Sequence, residues 1–310
     1  MSKIPLVIIN APTATGKTVL AIRLARKFGG EIVNADSMQV YRYLDIGTAK
    51  PTAEQRKEIH HHLIDVVNPD EEFNAALYAE TARAVIEGLH AQKKPVFVTG
   101  GTGLYIRALT KGIIDTPAAD EKIRNHFKKL GETHGRKYLF DLLKGKAPAA
   151  ASRIKPNDSV RVIRALEVLE QTGESITAKQ ARHALAASPY ETLKIGLRVG
   201  RDDLKERIAQ RAEGMIAAGL VAEVRGLLQR GYGQKLKPLQ SLGYRQIIRH
   251  LAGDYDLAEA GRLIARDTWH YAKRQMTWFA ADRAIRWFVP DAESKIETEI
   301  EKFRQEKGLF

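Results

Sequence analysis

Residues 6–9, Leu6-Val7-Ile8-Ile9, form an unbroken apolar run, the pattern of a strand buried on both faces. A loop of small residues follows over 11–18. Residues 19–28 then carry a helical pattern that Gly29-Gly30 ends. Further strands are expected at 31–35, 63–67 and 95–99. A helix over 74–92 lies between the last two, and another follows Gly100-Gly101-Thr102-Gly103. Strand and helix alternate, which predicts an α/β unit on a parallel sheet.

The pattern then changes. Residues 116–187 show helical spacing, many Lys and Arg, and no run that reads as a strand. Strand character returns over 192–199. Residues 201–229, 239–251 and 257–280 read as helices, and 285–289 as a last strand. A helical stretch bracketed by α/β segments predicts an insertion. The expected core is residues 1–116 and 189–310, interrupted by a helical subdomain over 117–188. Trp269, Trp278 and Phe279 read as core, because large rings dominate buried area.

Charge refines this picture. The formal net charge is +13 over 310 residues, and nearly all of the basic excess follows Lys111. A near-neutral first third and a basic remainder suggest a catalytic core that feeds a polyanion-binding surface. There is no cysteine, which excludes disulfides, iron–sulfur clusters, thiolate zinc sites and a cysteine nucleophile. No apolar run approaches the roughly 18–20 residues of a membrane span. The first ten residues lack the features of a secretory signal, so a cytoplasmic enzyme is expected.

The strongest local chemistry is Ala11-Pro12-Thr13-Ala14-Thr15-Gly16-Lys17-Thr18. It matches the phosphate-loop pattern G-x-x-x-x-G-K-[ST] except at Ala11. Backbone N–H groups of such a loop converge on phosphate oxygens. Lys17 adds a point charge, and the Thr18 hydroxyl suits a magnesium ion. Hydrolases, small-molecule kinases and diphosphate-cleaving transferases all use such a loop. The later apolar strand ends in Thr99-Gly100 without a carboxylate, so Asp36 is the only acid at a strand end near the loop. It suits magnesium binding through water, general-base work or capping of the next helix.

Several segments together resemble the bacterial tRNA dimethylallyltransferases, also called tRNA isopentenyltransferases. They are the phosphate loop, Asp36-Ser37-Met38-Gln39-Val40-Tyr41, Asp45-Ile46-Gly47-Thr48-Ala49-Lys50-Pro51 and His61-His62-Leu63-Ile64-Asp65. Gly100-Gly101-Thr102-Gly103-Leu104-Tyr105 and Arg161-Val162-Ile163-Arg164-Ala165-Leu166-Glu167-Val168 follow, then Gly243-Tyr244-Arg245-Gln246. The last is Tyr271-Ala272-Lys273-Arg274-Gln275-Met276-Thr277-Trp278-Phe279. The order is collinear and runs nearly end to end. Two positions depart: Ala11 stands where the family usually has Gly, and Val160 where it usually has Gln.

The resemblance implies an α/β fold, a P-loop-type parallel sheet flanked by helices with an inserted all-helical subdomain. It implies transfer of a dimethylallyl group from dimethylallyl diphosphate to N6 of the adenosine 3′ of the anticodon, in tRNAs reading codons that begin with U. Ala11 through Thr18 and Arg211 would hold the diphosphate, with Mg2+ on Thr18. Asp36, Thr18 and Arg211 would be catalytic, Asp36 as the base. The tRNA contacts implied are Asp36, Ser37, Met38, Gln39, Thr102, Arg124, Val160, Arg161, Val162, Ile163, Arg164, Gln240, Ser241, Leu242, Gly243, Tyr244, Arg245, Lys273 and Arg274. The anticodon stem-loop would be the partner of a monomer. Competing readings are a small-molecule or nucleoside kinase, a non-catalytic RNA binder and a prenyltransferase of free adenine nucleotides.

His60-His61-His62 invites a metal reading. Consecutive residues on a strand cannot all face one ion, and no second ligand cluster is evident, so structural hydrogen bonding is expected instead.

Overall fold

A computed structural model describes residues 3–114, 116–183 and 188–307. The chain divides into two compact units, Met1–Thr110 with Ser188–Phe310, and Lys111–Ala187.

The first unit is built on a parallel sheet of six strands among the described residues. They are β1 (Ile4–Asn10), β2 (Glu31–Asn34), β3 (His61–His62), β4 (Val96–Gly100), β5 (Tyr190–Leu197) and β6 (Ile285–Phe288). Their order is β3-β2-β4-β1-β5-β6. The apolar run of β1 lies at the centre, pairing with β4 on one side and β5 on the other. Alternation sends Leu6, Ile8, Val33 and Val98 into one core layer, and Val7, Ile9, Ile32 and Phe97 into the opposite one. Each fully buried Leu or Ile contributes about 2 kcal/mol of transfer free energy.

The Lys17–Phe28 helix buries Leu20, Ala21, Leu24 and Ala25 on the second layer. It begins at Lys17, earlier than its apolar spacing suggests, because Gly16 at φ 87 provides the turn into it. The Ala75–Ala91 helix starts at Asn74, whose side chain accepts from the N–H groups of Ala76 and Leu77.

Three expectations need correction. The strand expected at 63–67 is instead the two-residue β3; Leu63 and Asp65 adopt φ 63 and 57, which end an extended run. Only Val67 makes a bridge there, to Tyr41. The long helix expected over 201–229 is two, Arg201–Ala217 and Leu220–Gln229, broken where Gly219 takes φ 100. The helix expected from 239 starts at Tyr244, after a turn at Gly243 with φ 87.

Every secondary-structure element among the described residues of the second unit is a helix. The Glu121–Lys146 helix bends at Gly135 and packs with the Pro148–Ala151 and Ser159–Thr172 helices around Phe127, Leu139, Leu143, Val162 and Leu166. The Ile176–His183 helix follows, and residues 184–187 of the expected helical stretch lie outside the described residues.

Candidate active site

Three loops leave the carboxyl ends of β1, β2 and β4, where ligands of open parallel sheets bind. The first is the phosphate loop. Ala14 and Gly16 have φ 63 and 87, and the Thr15 hydroxyl donates to the carbonyl of Pro12 at 2.9 Å. Alternating positive φ turns successive N–H groups inward, as anion-binding backbone does. Ala11 is buried and takes no positive φ, so the fold does not require glycine there.

The second loop carries Asp36. Its Oδ1 accepts from Met38 N at 2.9 Å and Gln39 N at 3.4 Å, so the carboxylate caps the turn while it also faces the cavity. The third loop is Gly101-Thr102-Gly103. Thr102 Oγ1 accepts from Ser37 N at 3.0 Å, tying the second loop to the third.

The cavity between these loops and two helices has a volume of about 340 Å³. Ile208, Arg211, Ala212 and Met215 recur at i, i+3, i+4 and i+7 on the Arg201–Ala217 helix and all line it. Ile264, Thr268, Tyr271 and Gln275 form the matching stripe on the Leu257–Ala280 helix. An arginine inside a largely apolar stripe is a partly desolvated cation that favours an anion beside it. Burial lowers the Arg211 pKa against the opposing pull of Asp36. Burial also brings Lys17 down to about 8, with Asp36 raising it and Arg211 lowering it further. Two half-buried cations thus share one carboxylate, and the pocket is left favourable to a further negative charge.

The structure brings together Thr13, Lys17, Thr18, Asp36, Ser37, Met38, Gln39, Arg211, Gln240, Ser241, Leu242, Gly243, Arg245 and Arg274 around this cavity. Other expected residues fall elsewhere. Tyr244 is fully buried, donating its hydroxyl to Glu223 Oε1 at 2.6 Å. Lys273 stands 5.7 Å from the Trp269 ring centre, joined there by Arg201 and Lys205. Trp269 is therefore only half-buried among cations and Trp278 is 39% exposed; of the three aromatics read as core, only Phe279 is fully inside. Arg124 and Val160 to Arg164 belong to the helical unit. There Val160 is 80% exposed while Val162 is in the core. Arg124 and Arg164 both pair with the buried carboxylate of Glu167, at 3.0 and 3.1 Å.

Several contributors are given no role in the site by the sequence reading. Gln275 Oε1 accepts from Thr13 N at 2.9 Å and its Nε2 donates to Gly101 O at 2.9 Å, so one amide holds the first loop to the third. Tyr271 faces the cavity with its hydroxyl pushed far above its usual pKa by burial and by Asp36, and it stays a donor. Its stripe spacing with Gln275 was the available signal. Glu223 accepts from the N–H groups of Asp45, Ile46 and Gly47 at 3.0, 2.7 and 3.2 Å, which fixes the Gly47-Thr48-Ala49 rim. His61 lines a small recess beside Lys17, Thr18 and Asp36; its Nε2 and Thr99 Oγ1 are buried there without a hydrogen-bond partner.

A family model described as IPP transferase matches residues 39–282. The chain is 54% identical over 291 residues to tRNA dimethylallyltransferase 2 of Syntrophus aciditrophicus, covering 94% of each. It resembles the crystal structure of the full-length tRNA isopentenylpyrophosphate transferase of Bacillus halodurans, at TM-score 0.74 and 37% identity, over 99% of this chain and 98% of that one. A eukaryotic dimethylallyltransferase acting on tRNA has the same fold, at TM-score 0.78 and 25% identity, over 96% of this chain and 77% of that one. With a family match across most of its length and a relative more than half identical, this chain belongs to the IPP transferase family, that of the tRNA dimethylallyltransferases.

Proposed function

We propose that this protein transfers a dimethylallyl group from dimethylallyl diphosphate to N6 of the adenosine immediately 3′ of the anticodon, in tRNAs reading codons that begin with U. The observation that carries this reading is a single cavity lined both by Lys17, Arg211 and Asp36, whose charges act on one another, and by Ile208, Ala212, Met215 and Ile264. A diphosphate with a short branched alkyl tail has that polarity. A small-molecule kinase on the same loop needs neither the apolar wall nor the basic helical unit.

The diphosphate sits on the phosphate loop between Lys17 and Arg211, which stabilise the negative charge that grows as it leaves. The recess beside Thr18 fits magnesium: Thr18 and Asp36 offer hard oxygen donors, and the unpartnered Thr99 Oγ1 and His61 Nε2 suit ordered water. Thr18 would hold the ion, which when bound adds positive charge against the departing diphosphate. N6 attacks C1 of the dimethylallyl group, the C1–O bond breaks, and Asp36 accepts the proton that N6 gives up. Gln275 keeps the loop N–H groups aimed, and Tyr271 donates beside Asp36.

The rim from Gln240 to Arg245, with Ser37, Met38, Gln39, Thr102 and Arg274, would hold the splayed anticodon loop. Tyr244 acts through Glu223 instead of touching RNA. Lys273, with Arg201 and Lys205 around Trp269, makes a patch for backbone phosphates. The helical unit would bind the anticodon arm through exposed positions such as Val160 and Arg161, with Val162 and Ile163 packing behind them. Arg124 and Arg164 order its surface through Glu167. A cytoplasmic monomer completes this reading.

Labelled dimethylallyl diphosphate, magnesium and unmodified tRNA test it, with a second tRNA carrying guanosine in place of the target adenosine. Label should enter only the first. Asp36→Asn should slow single-turnover transfer about 100-fold while tRNA still binds. An unchanged rate would remove Asp36 from the proton transfer.

A further inference from the structure

We propose that Glu31, His60 and His62 form a binding site for a divalent transition-metal ion of the zinc class, at the β2–β3 edge of the sheet and separate from the magnesium position at Thr18. One ligand atom from each of the three side chains lies within 4.8 Å of the other two. Strand geometry explains the convergence. Ile32 pairs with His61 and Val33 with His62, so Glu31 stands beside His60. Alternation then points His60, His62 and Glu31 to one side, and His61 to the other, where it meets the phosphate-loop recess. Three consecutive histidines therefore supply two ligands, not three, and the third comes from the neighbouring strand.

The contacts agree with this placement. His62 Nε2 lies 2.7 Å from Glu31 Oε2, and the His60 and His62 rings meet edge to face with centres 4.3 Å apart. Two imidazoles and one carboxylate are a zinc-type donor set that leaves a coordination position open. Bonds of about 2.0–2.1 Å hold tetrahedral ligands roughly 3.3 Å apart, so small side-chain rotations suffice. Lys94 pairs with Glu31 through Oε1, and the ion would replace the hydrogen bond between Oε2 and His62 Nε2, releasing its proton and taking both atoms as ligands. Magnesium prefers an all-oxygen, octahedral environment and does not compete well for this set. The ion would staple a two-residue edge strand to its neighbour.

Zn2+ and Co2+ are the probes, titrated separately into the purified full chain without magnesium or substrate. The expected result is one saturable equivalent by calorimetry, with Co2+ giving the visible bands of a low-coordinate site and either ion raising Tm. His60→Ala should weaken binding at least about tenfold and abolish the Tm gain. His60 is exposed, so this variant should match the native Tm without metal and retain dimethylallyl transfer. Glu31→Gln should weaken binding similarly, whereas replacing His126 and His134 with Ala should not. Absence of a saturable equivalent, or binding that survives His60→Ala unchanged, overturns the proposal. Because binding is read without substrate, that failure is distinct from any failure of the transferase reading.

Discussion

Gln275 joins two loops that are 262 and 174 residues away along the chain. Its amide is buried, and a Cβ at Gly101 would collide with it, so the approach of this side chain depends on glycine there. Gln275→Leu keeps the volume but removes both hydrogen bonds, leaving the Thr13 N–H and Gly101 carbonyl unsatisfied. We expect KM for dimethylallyl diphosphate to rise about tenfold, with kcat affected less, a difference of about 1.4 kcal/mol. Steady-state kinetics with saturating tRNA checks this, and an unaltered KM would deny Gln275 its support of the loop. The contrast with Lys17 and Thr18 explains what the chain discloses by itself. Those two sit in a contiguous motif whose spacing states its chemistry. Gln275, Glu223 and Tyr271 act across long separations, and only the fold brings their partners to them.

Central strands and long helices were legible because their apolar spacing is set by burial on the sheet. The failures fall where local backbone geometry overrides spacing. Leu63 and Asp65 turn β3 off after two residues, and Asp65 is held there by ion pairs from Lys50 and Arg56 at 2.6 and 2.7 Å. In the helical unit the Ser159–Thr172 helix depends on a similar buried group. Glu167 accepts from Arg124, from Arg164 and from the Asp120 N–H. Burial raises its pKa, but these partners overcome that and hold it below the usual carboxylate range. A folded-state pKa depressed in this way stabilises above the unfolded value, and the contribution is lost as pH falls through the folded one. Amide-exchange protection across this helix should therefore decline on acidification below the usual carboxylate range. Glu167→Gln should lower protection at neutral pH and flatten that acid dependence. Equal pH profiles would show that the carboxylate charge contributes nothing to this helix.

At the scale of the whole molecule, charge is the property the sequence stated most directly. The excess of +13 predicts that tRNA affinity falls steeply with salt, with log K decreasing by about 0.7 per phosphate neutralised for each unit of log salt. Arg161→Glu should reduce that slope and weaken tRNA binding, while KM for dimethylallyl diphosphate stays as it was. Filter binding between low and physiological salt reads the slope, and a flat response would exclude a phosphate-dominated interface.

What the chain alone does not disclose is the order in which its strands can meet. β1 pairs with β5 over seven registered positions and with β4 over four, yet β4 is complete by Gly100 and β5 begins only at Tyr190. During synthesis the whole helical unit must emerge between them. At about 5–20 residues per second, a nascent chain carries β1 with one apolar edge bare for on the order of 10 s. An open strand edge of that kind is a template for pairing with other chains. The central position of β1, which sets the phosphate loop where three strands end, thus leaves the half-made protein with an unpaired strand edge until the helical unit has been synthesised.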